Sequence, residues 1–400
     1  MQNILVFFYI DMDITKFTNE RTGQLVTVPV STGEDWSFVP EPLYPNWELP
    51  PEIWALLADA KMALGRLDGV GRRLPNPELL LAPLRSREAL RSSSLEGTYA
   101  TPKELLLFEL EPIAPTAAGD KANAQLEVSN YSRALREGFN ALQQYPFSLG
   151  LIRNLHHWLL EGVRGEDKSP GKFRDTQVHV GSGRRFIPPP PTHLIQCLEE
   201  LDIKLRPEEA NQWEYDPLIM CYLLHYQFET IHPFRDGNGR VGRLILALTT
   251  WKWCGLLMPW LYMSPFFERY KDEYINNLFN VSAKGDWATW IGFCLKGTIV
   301  QAEDAIVRCD ALIYLKDDWT SKITEGNIRL VSLIDSLFTR PIMTTSIARQ
   351  LTGVTQPTAQ SDIDKLIEAK ILVPIEGTRR PVVYAAPQII DIAYGEPTEG

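Results

Sequence analysis

The chain has 400 residues, too many for one ordinary hydrophobic core, so two or three domains are expected. An apolar fraction of 44% with 22% charged residues is that of a soluble globular protein, and a formal net charge of -10 argues against general affinity for nucleic acid or anionic membranes. Cys197, Cys221, Cys254, Cys294 and Cys309 are scattered with no CxxC pair, which reads as reduced thiols in a cytoplasmic protein, not a disulfide framework or zinc site.

Taken in chain order, residues 4–10 (ILVFFYI) are too short and too lacking in basic flank for a signal peptide. Residues 35–51 are rich in proline and tryptophan and predict an extended segment wrapped on the surface. Ile53, Leu56, Leu57 and Ala60 are spaced for an amphipathic helix over 52–67, with further helices over 86–96 and 103–111. The polar stretch 114–125 reads as a connection and domain edge. Two helical patterns fill 128–164. Gln177-Val178-His179-Val180, a Gly-Ser-Gly turn and Arg184 to Ile187 predict a β-hairpin, stopped by four prolines.

Helices are expected over 192–203 and 216–231. The apolar run 244–263 is long enough to suggest a membrane span, but Lys252, Gly255 and Pro259 interrupt it, so a buried helix ending near Gly255 is expected and no membrane is implied. Helical patterns return over 265–281 and 287–316. In 344–387 a short helix, a turn at Gly353, a second helix and a hairpin tipped by Gly377 give the order of a winged helix-turn-helix. The tail GEPTEG has nothing to bury.

Between the helices of 216–231 and 244–255 stands IHPFRDGNGRVGR. Its glycines allow close backbone approach, and the N–H groups of a helix start carry a positive dipole, so the segment is suited to cradle an anion. Arg240 and Arg243, three apart, share a face and can grip adjacent phosphates. Asp236 offers a hard oxygen suited to Mg²⁺. His232 can take a proton from a hydroxyl near neutral pH. A DGNG turn with incidental charges would also explain any one of these features. The full set within twelve residues suits phosphoryl or nucleotidyl transfer to an alcohol.

HPFRDGNGRVGR resembles the signature of the Fic family, HPFx(D/E)GNGRxxR, at every fixed position. YLLHYQFETI, PGKFRDTQVHVG and the PPPP that follows resemble the family core, and the similarity covers roughly residues 95–300. The resemblance implies a mainly α fold: a Fic-type helical core with a β-hairpin flap, here joined to the C-terminal winged helix. It implies an N-terminal segment (1–125) with an inhibitory helix near 86–97, a catalytic core (126–300), connecting helices (301–335) and the winged module (336–394).

What the resemblance implies for function is transfer of AMP from ATP to a Ser, Thr or Tyr hydroxyl of a target protein. His232 would be the general base and Asp236 would hold Mg²⁺ against the α- and β-phosphates. Gly237, Asn238 and Gly239 would line the anion hole, Arg240 and Arg243 would take the β- and γ-phosphates, and Val241 and Gly242 complete the nucleotide side. Tyr274 would contact the base. The hairpin edge, Thr176, Gln177, Val178, His179 and Val180, would pair with the target backbone as the family's flap. RSSSLEGTY (91–99) resembles the family's inhibitory motif (S/T)xxxE(G/N), with Ser92 and Glu96 one turn apart. Glu96 would pair with Arg243 and so bear on the nucleotide site.

Other features carry less. His225 lies seven residues before His232 and reads as a buried, hydrogen-bonded histidine. His156 and His157 read as core and surface. Over 341–385 five basic residues (Arg349, Lys365, Lys370, Arg379, Arg380) meet four acidic ones (Asp362, Asp364, Glu368, Glu376), three of the acids lying on the second helix. That balance favours protein contact or homodimer support over DNA, with Arg379-Arg380 as the counter-argument. The rival to a transferase is a transcription regulator or adaptor whose core only binds nucleotide.

Overall fold

The computed structural model describes residues 12–30, 33–43, 48–72, 76–117, 120–163, 169–181, 185–207, 215–323, 327–378 and 381–395. The apolar stretch 4–10, Arg184, the Arg379-Arg380 pair and the end of the tail lie outside them. The elements begin with β1 (Gly23–Val30), β2 (Gly33–Pro40), α1 (Pro51–Arg72), α2 (Glu78–Leu95) and α3 (Pro102–Leu110). There follow α4 (Lys121–Leu142), α5 (Leu149–Leu160), α6 (Pro191–Lys204), α7 (Pro217–Ile231) and α8 (Asn238–Trp253). Next come α9 (Ser264–Arg269), α10 (Lys271–Lys284), α11 (Trp287–Ile323) and α12 (Ile328–Thr339). The chain closes with β3 (Ile342–Thr344), α13 (Thr345–Thr352), α14 (Gln356–Glu368), β4 (Val373–Pro374), β5 (Val383–Ala385) and α15 (Pro387–Tyr394).

They form two compact units. The first holds Met1–Ala58, Ala134–Cys254 and Arg269–Lys296; the second holds Asp59–Arg133, Gly255–Glu268 and Gly297–Gly400.

In the first unit α7 is the central helix. Asp216 caps it by accepting from the Leu218 N–H, and Pro217 begins it where a missing N–H costs nothing. Of its 15 residues 13 are buried, so LIMCYLLHYQF is apolar all round because it is covered all round. The run 244–263 behaves as expected. α8 ends at Trp253, and Gly255 turns the chain at φ 68. No helix among the described residues is long and apolar enough to cross a membrane. All five cysteines are free.

Two expectations are corrected here. Residues 35–40 are not a surface wrap. They belong to β2, paired antiparallel with β1 from Gly23↔Pro40 to Val30↔Gly33, with Phe38 only 1% exposed. The Phe38 N–H donates to Ile187 O, so the strand carries buried aromatic surface into the core. The hairpin expected over 177–187 is, among the described residues, a single bridge, Val180↔Phe186. Prolines 188–191 cannot donate to a ladder, and side chains tie the two legs instead: Gln177 Nε2 donates to Pro188 O at 2.8 Å.

In the second unit α2 begins at Glu78, eight residues before the expected start, with Pro83 inside it. α3 opens on a capping box between Thr101 and Glu104. The polar stretch 114–125 already turns helical at Lys121. At the C-terminus α13 ends on Gly353 at φ 68, α14 follows, and β3, β5 and β4 form a sheet in that order. Ile342, Ile375, Val383 and Ala385 share a core with Leu106 of α3. Asp362, one of the three acids on α14, does not face outward. It is 1% exposed and accepts from Arg329 Nε at 3.0 Å.

Candidate nucleotide-transfer site

The site is built where α7 stops and α8 starts, and the stop has a simple cause. Pro233 has no N–H, so it cannot bond the Glu229 carbonyl one turn back. His232 takes that place: its backbone N–H donates to Phe228 O at 3.0 Å and its ring Nδ1 faces Glu229 O at 3.2 Å. A carbonyl only accepts, so Nδ1 carries the proton and Nε2 is the basic nitrogen. The turn places His232 in the left-handed region, at φ 50 and ψ 61. For a residue other than glycine this is strained backbone, and the surrounding contacts must hold it.

Those contacts come from three directions. Asn238 folds back over the loop, donating from Nδ2 to Phe234 O and accepting at Oδ1 from the Phe234 N–H, both at 2.8 Å. His156 of α5 stacks on Phe234 at 3.7 Å between ring centroids. The Gly171 N–H donates to His156 Nδ1 at 2.8 Å, so Nε2 is protonated and donates to Asp236 O at 3.1 Å. Arg174 donates from Nε to the His232 carbonyl at 2.8 Å. Phe234 is fully buried, which gives the loop an apolar anchor.

Beyond the loop, Gly237 at φ 75 opens α8, whose first internal bond is the Val241 N–H to Gly237 O. The N–H groups of Asn238, Gly239 and Arg240 precede that bond and present the positive end of the helix dipole. Arg240 and Arg243 are 4% and 3% exposed, two guanidinium groups held inside the protein on the first turn and a half. Asp236 is half exposed, accepts from the Gly237 N–H at 2.7 Å and lies 4.0 Å from Arg240. Val241 packs inward, and Gly242 lets α7 come close: a Cβ there would fall 2.2 Å from Glu229 Oε1 of α7, so that side chain would have to move.

The remaining expected residues fall in three places. Thr176 to Val180 form the first leg beside the loop, described above. Tyr274 of α10 is 5% exposed, and its hydroxyl meets His225 Nε2 at 2.8 Å. His225 donates from Nδ1 to Gly242 O, so the tyrosine hydroxyl is the donor to Nε2. It is Tyr270, one turn earlier, that is 43% exposed. Ser92 and Glu96 belong to the second unit. Ser92 is buried in α2, and Glu96 is the exposed C-cap residue, followed by Gly97 at φ 82.

Two residues of the site escaped the sequence reading. His156 was read only as core, and Arg174 was not singled out. Nothing in PGKFRDTQ sets Arg174 apart, since Asp175 beside it in sequence offers the arginine an ordinary surface partner.

The two buried histidines make a measurable prediction. Burial pushes His156 down to about 4 and His225 down to about 3. A histidine whose folded pKa lies below its unfolded value near 6.5 contributes stability at pH 7 that is lost as pH falls through 6.5. Each should cost on the order of 2 kcal/mol by pH 5. The urea midpoint should therefore drop between pH 7 and pH 5, and an unchanged midpoint would contradict this burial.

Residues 54–140 match the family model described as Fic/DOC family N-terminal, and residues 146–249 match that of the Fic/DOC family. Over these two regions the chain is similar to the Fic/DOC family. A protein adenylyltransferase Fic of Drosophila grimshawi is 35% identical over 105 residues, covering 26% of this chain and 20% of the relative. A protein adenylyltransferase fic-1 of Caenorhabditis briggsae is 32% identical over 156 residues, 39% of this chain and 29% of the relative. The chain thus spans less than a third of the length of these curated relatives. A Fic family protein from Desulfovibrio desulfuricans G20 shares the fold at a TM-score of 0.55 and 20% identity, covering 86% of this chain and 98% of that one. Fic-1 (aa134 - 508) from C. elegans does so at 0.51 and 20%, covering 65% of this chain and 74% of that one. The second matched region contains the whole loop, Arg240, Arg243 and the start of α8.

Proposed function

We propose that this chain is a protein adenylyltransferase, moving AMP from ATP to a Ser, Thr or Tyr hydroxyl of a target protein. The observation that supports this most is the left-handed His232, its Nδ1 fixed as donor, one short loop before a helix start with two buried arginines. A base and a polyphosphate cradle are what nucleotidyl transfer to an alcohol needs. His232 Nε2 takes the hydroxyl proton, the oxygen bonds to the α-phosphorus, and the bond to the β-phosphate oxygen breaks to release pyrophosphate. Arg240 and Arg243 hold the β- and γ-phosphates, and the first N–H groups of α8 face the phosphate chain.

Mg²⁺ fits this donor set as a companion of the nucleotide. It commonly takes one carboxylate with substrate phosphates, and Asp236 is half exposed beside the cradle. Among the described residues no cluster of His, Cys, Asp or Glu could hold a metal alone. Asp236 would hold the ion, which offsets charge on the α- and β-phosphates. Thr176 to Val180 would receive the target backbone. Scattered reduced thiols support a cytoplasmic setting, and the near-balanced C-terminal module supports protein contact or a homodimer over DNA.

Glu96 would hold the activity back, because a carboxylate paired with a phosphate-binding arginine displaces the γ-phosphate. The support is the Ser92-to-Glu96 spacing at the end of α2. A charge-assisted pair is worth about 1.5–3 kcal/mol, so Glu96→Gly should raise AMP transfer and self-labelling about 10- to 100-fold. Label from the α-phosphate of ATP should enter protein, and label from the γ-phosphate should not. Label from γ alone would mean a kinase, and label from neither would favour the nucleotide-binding regulator. Equal labelling with and without Glu96 would remove the autoinhibition.

A further inference from the structure

We infer that Arg174 is a positioning residue that ties the catalytic base to the target-holding flap. This rests on the transferase reading, since it concerns where a hydroxyl is delivered relative to His232.

Arg174 is 4% exposed, and its four side-chain hydrogen bonds among the described residues all go to backbone carbonyls. Two of these end α7: Nε donates to His232 O at 2.8 Å and NH2 to Ile231 O at 3.3 Å. The other two lie on either leg of the flap: NH1 donates to Thr176 O at 3.1 Å and NH2 to Pro189 O at 2.6 Å. The backbone N–H of Arg174 donates to Pro233 O at 2.9 Å. One residue thus grips three consecutive carbonyls around the base and both legs of the flap.

The chemistry suits arginine alone. The last carbonyls of a helix lack N–H partners and carry the negative end of its dipole, and here Pro233 removes a further donor. A buried cation can sit there with the helix end as its counter-charge. Burial lowers the Arg174 pKa to about 10, which still leaves it protonated at neutral pH. The planar guanidinium presents five N–H groups in a fixed fork, whereas a lysine ammonium is a point with three. Lysine would keep the charge and lose the span. Other bonds hold single parts of this frame. Gln177 Nε2 and Ser37 Oγ both donate to Pro188 O, at 2.8 and 2.6 Å. Only Arg174 among these joins the flap to residue 232.

The test takes the full chain carrying Glu96→Gly as parent and compares it with the same chain bearing Arg174→Lys or Arg174→Gln by four readouts: the AMP-transfer rate, ATP affinity by equilibrium binding, the melting temperature, and hydrogen exchange of segments 172–181 and 229–236. Misplacing a reacting group by a fraction of an ångström to an ångström costs one to two orders of magnitude, so Arg174→Lys should lower kcat about tenfold or more. ATP affinity should stay within about twofold, because the cradle on α8 is untouched. Exchange should quicken in both segments together. Transfer at the parental rate would overturn the proposal. So would unchanged exchange in either segment, or ATP affinity lost in step with the melting temperature, which is the signature of a merely structural role. Exchange does not depend on turnover. A parent that transfers nothing therefore refutes the transferase reading, while the tie itself is decided by exchange.

Discussion

His232→Ala should abolish AMP transfer while leaving ATP bound. A positioned general base contributes about 10²–10⁴ in rate, and the Nδ1 contact to Glu229 O already commits this ring to basicity at Nε2. Transfer should fall about 10³-fold, with ATP affinity within about twofold, because the cradle lies on α8 and is untouched. Two measurements check it: the rate of protein labelling from α-labelled ATP, and equilibrium binding of a fluorescent ATP analogue. Parental labelling by His232→Ala would mean that the proton leaves by another route and that the imidazole is not the base. Loss of binding alongside labelling would mean that the ring holds the loop together and that its chemistry is untested by this substitution.

Asn238→Ala should be the most destabilising single change in the loop. Its side-chain amide satisfies both the N–H and the carbonyl of Phe234, a residue with no exposed surface. Truncation leaves two buried backbone groups without partners, and each costs about 1–3 kcal/mol. A loss of about 2–5 kcal/mol is expected in urea unfolding, with transfer lost beyond what the unfolded fraction explains. Asn238→Asp separates the two bonds. The carboxylate still accepts from the Phe234 N–H but confronts the Phe234 carbonyl with a second acceptor, so it should recover little. A fully stable Asn238→Ala protein would show that water replaces the amide, and the loop would then be far less dry than its burial implies.

The candidate site was legible where its chemistry is contiguous. His232, Asp236, the glycines and the two arginines fall within one loop and the next helix turns, so residue type and spacing carried the reading. α7 and α8 were legible as buried helices because apolar residues fill every face. The supporting frame was hidden for the opposite reason. Arg174 acts on carbonyls at 176, 189, 231 and 232, and no local pattern joins those positions. That the Asn238 side chain closes the loop was not legible, because a backbone partner four residues earlier cannot be read from residue type. The β1–β2 hairpin was obscured by its own prolines, Pro29 and Pro40, and by Glu34 and Asp35. Spacing on α10 could not tell which tyrosine faces inward, since His225 across the core decides it. The acid count on α14 likewise did not show that Asp362 turns in toward Arg329.

The unusual backbone at 232 has a consequence for how this chain can drift. A glycine there would relax the chain by about 1–2 kcal/mol, because the left-handed region is free of penalty without a Cβ. Thermodynamics alone would therefore replace the side chain proposed as the base. The fold keeps a less restful conformation in exchange for a nitrogen with a lone pair, and loss of function at this position is the downhill direction.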